Sequence, residues 1–312
     1  METTVLGRTG LKATVAGLGG GGFSRLGLKK YGPDHAAGIV KTAYENGVNF
    51  FDTATVYGTQ AVVCQGLKSI NRENYILSTK FPYRTDTDIN TPQALEAALD
   101  ESLSLLNTDY IDIYHLHGVR PDDYNKTIEL LLPAMQKAKK AGKIRWLGIT
   151  ELFAEDTSHK MLEMSLSDNF FDVIMTGYNL LNPSAAKNIL PLATENNIGV
   201  LCMFAVRKAL SNPEQLKLDI SRILDNNQGD PDIIKQYADL SFLSEKGVAE
   251  SITEAAYRFC RHTPGIHVTL TGTGVNSHLI ENLASIQLPP LPEQTLALLD
   301  TLFARVNCIS GQ

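Results

Sequence analysis

The chain has 312 residues, 43% of them hydrophobic and 20% charged, with a net charge of -6. Such a composition can bury a large core and excludes a disordered chain. The acidic balance argues against a nucleic-acid binder, which needs a basic face.

No apolar run follows the opening Met1-Glu2-Thr3-Thr4, so no secretory leader is expected, and no apolar stretch has the length of a membrane span. The four cysteines, Cys64, Cys202, Cys260 and Cys308, form no Cys-x-x-Cys pair. The expectation is a cytoplasmic protein with reduced thiols, no membrane partner and no nucleic-acid partner.

In chain order, Thr3–Leu6 and Lys12–Val15 flank Gly7-Arg8-Thr9-Gly10 and read as a β-hairpin. Gly17-Leu18-Gly19-Gly20-Gly21-Gly22 satisfies G-x-G-x-x-G, but the stretch Phe23–Pro33 separates it from the first helical pattern. It reads as a barrel loop that lets backbone approach a ligand, not as a dinucleotide fingerprint.

Short apolar runs lie at Val15–Leu18, Val48–Phe51, Tyr75–Ser78, Tyr110–Leu116, Ile144–Ile149, Val173–Thr176, Ile198–Cys202 and Val268–Leu270. Helical patterns fall between them, near 34–46, 59–69, 92–106, 123–141, 155–167, 184–196, 248–262 and 277–285. Thr91-Pro92 and Ser251-Ile252-Thr253-Glu254 are helix-start signals. Eight strands alternating with eight helices predict an α/β fold, a (β/α)8 TIM barrel, formed by residues 1–312 as a single domain.

The stretch 203–246 is too long for a bare loop. It carries two more helical patterns, near 214–225 and 232–241, and is expected to be an insertion or lid after the seventh barrel strand. A last helix over 293–306 is expected outside the barrel.

Barrel enzymes place their chemistry at strand C-termini. Those positions hold Asp52, Lys80 and His117, with Tyr57 one short loop beyond Asp52. Each alone has an ordinary structural use. Together they suggest a proton-transfer site. A lysine ammonium favours a nearby phenolate, a carboxylate anchors the lysine, and an imidazole orients a carbonyl oxygen.

These residues carry a resemblance to the aldo-keto reductases. Phe51-Asp52-Thr53-Ala54-Thr55-Val56-Tyr57-Gly58 resembles that family's Asp-Thr-Ala-x-x-Tyr-Gly segment. Ser78-Thr79-Lys80 and Tyr110–His117 are similar to the strands that end in its lysine and histidine. Lys143–Thr150, Tyr178-Asn179-Leu180-Leu181, Glu281-Asn282-Leu283 and the opening Leu6–Leu11 extend the match over nearly the whole chain.

The resemblance implies an NAD(P)-dependent oxidoreductase that interconverts an alcohol and a carbonyl (an aldehyde, ketone or sugar) by hydride transfer. Tyr57 would be the general acid/base. Asp52, Lys80 and His117 complete the expected catalytic set. The partner is a small molecule, and the chain is expected to be a monomer or weak oligomer.

The resemblance also places the coenzyme. Thr150-Glu151 stands where the family has Ser-Asn gripping the nicotinamide carboxamide, and Met175 where it has glutamine. Phe204 takes the place of the ring that stacks on nicotinamide, with Ala205 beside it. Gly21 and Gly22 approach the coenzyme, and Arg207 and Lys208 are candidates for its pyrophosphate or 2′-phosphate. Gly272, Gly274, His278, Glu281 and Asn282 fall on the adenosine side. Only His278 there can carry positive charge, so the expectation of NADP over NAD rests on the family's habit. Phe23, Tyr83 and Gly118 are expected to line the substrate pocket.

Two alternatives follow from particular residues. The altered carboxamide contacts suit an NAD(P)-binding redox sensor or partner subunit with little turnover. His115-x-His117 suits a metal-dependent barrel hydrolase, but strands five to eight supply no further histidine, and no metal is expected.

Overall fold

The structure, a computed structural model, describes residues 1–312. The chain opens with a hairpin of β1 (Thr3–Val5) and β2 (Lys12–Thr14), in which Thr4 lies opposite Ala13. Eight parallel strands then close a barrel. They are β3 (Ala16–Gly19), β4 (Phe50–Asp52), β5 (Ile76–Pro82), β6 (Ile111–Val119), β7 (Ile144–Glu151), β8 (Val173–Gly177), β9 (Gly199–Met203) and β10 (Val268–Thr271). Each pairs with the next, and β10 returns to β3.

Alternate strand residues point inward. Phe50, Ile76, Ile113, Val173, Leu201 and Val268 share one apolar cluster, joined by Leu6 and Ala13 of the hairpin. The hairpin therefore plugs the end of the barrel opposite the strand C-termini. Outward residues such as Phe51, Leu77 and Ile149 join the larger cluster under the helices.

Those helices are α1 (Leu28–Tyr31), α2 (Pro33–Glu45), α3 (Gln60–Leu67), α4 (Pro92–Leu106), α5 (Tyr124–Lys140), α6 (Lys160–Asp168) and α7 (Ala185–Glu195). They are followed by α8 (Pro213–Asp225), α9 (Pro231–Gln236), α10 (Ile252–Arg261), α11 (Asn276–Gln287) and α12 (Glu293–Phe303). The expected caps are present. The Thr91 hydroxyl accepts from Ala94 N, and Ser251 accepts from Glu254 N. No helix is long and apolar enough to cross a membrane.

Two helices differ from their sequence patterns. The pattern from 155 becomes helical only at Lys160, because the Asp156 carboxylate takes Lys160 N and Met161 N and holds a preceding turn, with His159 at φ 65°. The pattern near 232–241 stops at Gln236, and Leu240, at φ 56°, begins the next turn.

The 203–246 insertion is a packed unit. Leu216, Ile220 and Ile223 of α8 and Ile234 of α9 share a second apolar cluster with Leu299, Leu302 and Phe303 of α12 and Ala255 and Ala256 of α10. The extra C-terminal helix thus packs against the insertion. The tail beyond it returns to the barrel mouth, where Asn182 Nδ2 donates to Ile309 O at 2.7 Å and Ala209 N donates to Gly311 O at 3.1 Å.

Candidate active site

Parallel register brings three strand ends together. Asp52 pairs with Ser78, Lys80 with His115, and Pro82 with His117. A 3-10 turn over Thr55–Tyr57 carries Tyr57 back over the mouth, fixed by Tyr57 N donating to Ala54 O at 3.0 Å.

Lys80 is fully buried. Its ammonium donates to Asp52 Oδ2 at 2.5 Å and to Thr53 O at 2.7 Å, and lies 5.1 Å from the centre of the Tyr57 ring. Tyr57 Oη is 3.2 Å from His117 Nε2. The four residues singled out by the sequence therefore form one group.

A second tier holds it from below. Ser78 Oγ donates to Asp52 Oδ1 at 2.7 Å and lies 3.0 Å from His115 Nε2. Serine has one hydroxyl proton. With that proton given to Asp52, the imidazole must donate to Ser78, so His115 is protonated on Nε2 and bare on Nδ1. Its buried Nδ1 has no partner, which suits a lone pair. His115 and His117 thus face different partners and do not converge as a metal pair.

The electrostatics follow from burial. Burial raises the Asp52 carboxyl above the usual range, with Lys80 pulling the other way. Burial holds His115 well below its ordinary value. His117 is pushed down to about 3 by burial, then by the charges of Lys80 and Arg25. His117 is therefore a neutral imidazole near neutral pH.

Two joined cavities open at this group. A narrow one of about 120 Å³ is lined by Gly21, Gly22, Asp52, Tyr57, Met175, Phe204, Ala205, Arg207 and Gly272. A wider one of about 500 Å³ shares Gly22, Arg207 and Gly272 and continues past Phe23 and Lys208 to His278, Glu281 and Asn282. Of the insertion, only its first segment lines this cleft. Helices α8 and α9 line neither cavity.

Several expectations need correction. Glu151 does not face the cleft. It follows Thr150 on β7, so its side chain points to the other side of the strand. There its carboxylate accepts from Gly177 N at 2.7 Å and Thr176 Oγ1 at 3.1 Å, and meets His159 Nδ1 at 3.0 Å. Tyr83 is buried away from both cavities, its hydroxyl donating to Asp123 at 2.6 Å. Gly118 shapes the end of β6 at φ 67° and donates to Thr150 Oγ1 at 2.7 Å. Gly274 packs its backbone against Gly27. Phe23 is 66% exposed and sits at the rim of the wider cavity, beneath the Lys208 ammonium. Phe204 lines the narrow cavity, but the Arg207 guanidinium lies 3.8 Å from its ring centre.

Sequence reasoning missed Ser78, the role of His115, and Arg25. Ser78 opens the Ser78-Thr79-Lys80 segment, and strand alternation puts it on the same face as Lys80. Arg25 gave no signal, because its loop has no repeating pattern.

The sequence model of the Aldo/keto reductase family matches residues 16–304. The chain belongs to this family, and it is an oxidoreductase that interconverts carbonyls and alcohols. It is 28% identical to the L-galactose dehydrogenase of Arabidopsis thaliana over 302 residues, covering 92% of this chain and 88% of the plant enzyme. It is 25% identical to a D-threo-aldose 1-dehydrogenase of a Pseudomonas species over 239 residues, 67% of this chain and 71% of that one. Among solved structures, an aldo-keto reductase of Bacillus halodurans in its holo form superposes with a TM-score of 0.74 at 23% identity, covering 98% of this chain and 97% of that one.

Proposed function

We propose that a nicotinamide coenzyme binds in the joined cavities and that Tyr57 exchanges the proton of the carbonyl–alcohol couple. The observation that carries this is the 3.2 Å approach of Tyr57 Oη to His117 Nε2, with the Lys80–Asp52 ion pair beneath.

The cleft walls suit such a coenzyme. A Cβ on Gly272 would stand 2.6 Å from Gly19 O, and one on Gly21 would stand 2.8 Å from the Tyr57 ring. Backbone, not side chain, therefore forms the wall there. Met175 shares an apolar cluster with Met203 and Leu270, and all three line the narrow cavity as its floor. Thr150 accepts from Gly118 N and keeps its hydroxyl proton for a carboxamide. The first turn of α11 has no side-chain cap, which leaves N–H groups for phosphate. Arg207 joins the two cavities, where phosphates would pass.

When bound, the nicotinamide ring gives or takes the hydride. The chain's own residues do the rest. Tyr57 Oη and His117 Nε2 converge on one point, where both reach a single substrate oxygen. His117, being neutral, orients that oxygen by a hydrogen bond. In reduction Tyr57 gives its proton to the oxygen as the C–O bond gains charge. In oxidation it takes the proton back. The Lys80 ammonium stabilises the negative charge left on the phenol oxygen, and Asp52 and Thr53 O fix the ammonium in place.

For the adenosine end, we infer that NAD(H) binds at least as tightly as NADP(H), against the expectation from family habit. The wider cavity's α11 side offers His278 and Glu281 as its only ionisable groups. Arg207 is held on the ring of Phe204, where the two cavities join, and Lys208 on the ring of Phe23 at the rim of the wider one. A 2′-phosphate thus meets no lysine or arginine from α11, and meets the acid Glu281.

Fluorescence titration of coenzyme-stripped protein with NADH and NADPH tests both statements. Saturable binding followed by oxidation of the bound coenzyme on adding an aldehyde or ketone supports the reading. Binding without turnover on any carbonyl or alcohol would favour a sensor, and no binding would contradict the site.

A further inference from the structure

Two guanidinium groups beside the catalytic phenol have no counter-charge. Arg25 Cζ lies 4.6 Å from the centre of the Tyr57 ring. Arg207 Cζ lies over Phe204. Both side chains are half-buried, and neither makes a hydrogen bond or ion pair within the chain. Every other arginine either pairs with an acid, as Arg72 does with Asp112 and Arg120 with Glu155, or stands in solvent like Arg305.

Arg25 is the sharper case. Its Nη1 is buried with no partner. Its backbone is held at φ 46°, and Leu26 beside it at φ 57°, conformations that cost a non-glycine residue and persist only where packing enforces them. Leu26 is fully buried in the main core. The next residue, Gly27, packs on the loop before α11. This anchoring holds Arg25 against Tyr57. The charge is near enough to His117 to help keep that imidazole neutral. A buried N–H left without an acceptor is a cost that an arriving anion would relieve.

A dinucleotide can satisfy Arg207 with its phosphates, but its nicotinamide end carries no anion. We propose that Arg25 recognises a carboxylate on the substrate, so that the physiological couple is a hydroxy acid and its oxo acid, sugar acids included. A planar carboxylate matches the guanidinium fork. This rests on the reading of Tyr57 and His117 as the point where the substrate oxygen is held.

The test uses the full chain with whichever coenzyme it binds. Two matched pairs are compared, glyoxylate with glycolaldehyde and D-glucuronate with D-glucose. Wild type is expected to favour the acid of at least one pair by about 30-fold or more in kcat/KM. Arg25→Met should remove that preference through the KM of the acid, and Arg25→Lys should restore part of it. Calorimetric titration of the coenzyme complex with malonate gives a readout free of turnover, with binding in wild type and loss in Arg25→Met. Equal use of acid and neutral partners in both pairs would overturn the proposal. So would malonate binding that Arg25→Met leaves intact, or an Arg25→Met that slows acid and neutral substrates alike, which would make the guanidinium a support for Tyr57 only. If no carbonyl or alcohol reacts at all, the catalytic reading fails, and the malonate titration still decides the anion site.

Discussion

His159 Nδ1 stands 3.0 Å from both carboxylate oxygens of Glu151, and the pair is buried on the outer side of the barrel wall. With Thr176 Oγ1 and Gly177 N also directed at the carboxylate, Glu151 ties β7, β8 and the turn before α6 together.

Glu151→Gln is therefore a stability variant. The amide keeps the shape but gives up the charged acceptor, at a cost of about 1–3 kcal/mol. Coenzyme affinity should stay within about twofold, since the side chain faces away from the cleft. Denaturant titration and fluorescence titration of the same preparation check both. A large loss of affinity with an unchanged midpoint would put Glu151 in the coenzyme site after all.

Removing one partner of a buried ion pair leaves the other uncompensated. Lys80→Met should cost about 3–5 kcal/mol of stability as well as activity. Adding Asp52→Asn should return most of the stability and none of the activity. Chemical denaturation of the single and double variants gives the first comparison, and steady-state rates give the second. Full recovery of both would remove Lys80 from the chemistry.

His117 should not titrate near neutrality. Its value of about 3 lies well below the roughly 6.5 of an unfolded histidine, so the unfolded chain takes up a proton first as pH falls. The contribution to stability is complete above about pH 6.5 and is lost progressively toward pH 3, and His115, also depressed, adds to the same slope. Imidazole NMR should show His117 unprotonated between about pH 5 and 8. His117→Gln should flatten the fall in unfolding free energy between about pH 6.5 and 5. An imidazole that titrates near 6.5 would contradict the assignment.

Much of this was legible in the chain because it is periodic or local. The eight strands show as apolar runs, and the caps at Thr91 and Ser251 follow from one side chain and a nearby N–H. Asp52, Lys80 and His117 could be placed because strand ends are fixed by the barrel. What was not legible depends on which side of a strand faces the cleft, or on contacts distant in sequence. Glu151 was assigned to the cleft by position, yet alternation turns it outward. Tyr83 follows Lys80 by three residues, and its partner Asp123 is forty residues away. Arg25 lies in an aperiodic loop whose course is set by Leu26 and Gly27 packing on other segments.

The measurement that bears most directly on the account is single-turnover oxidation of bound reduced coenzyme by a carbonyl substrate, in wild type and in Tyr57→Phe. The variant keeps the ring beside Gly21 and loses the hydroxyl with its exchangeable proton. The account predicts coenzyme affinity within about twofold of wild type and a rate lowered by about 10²–10⁴-fold, the range for loss of a general acid. A Tyr57→Phe rate near that of wild type would contradict it, and the proton would then have to come from His117 or from solvent.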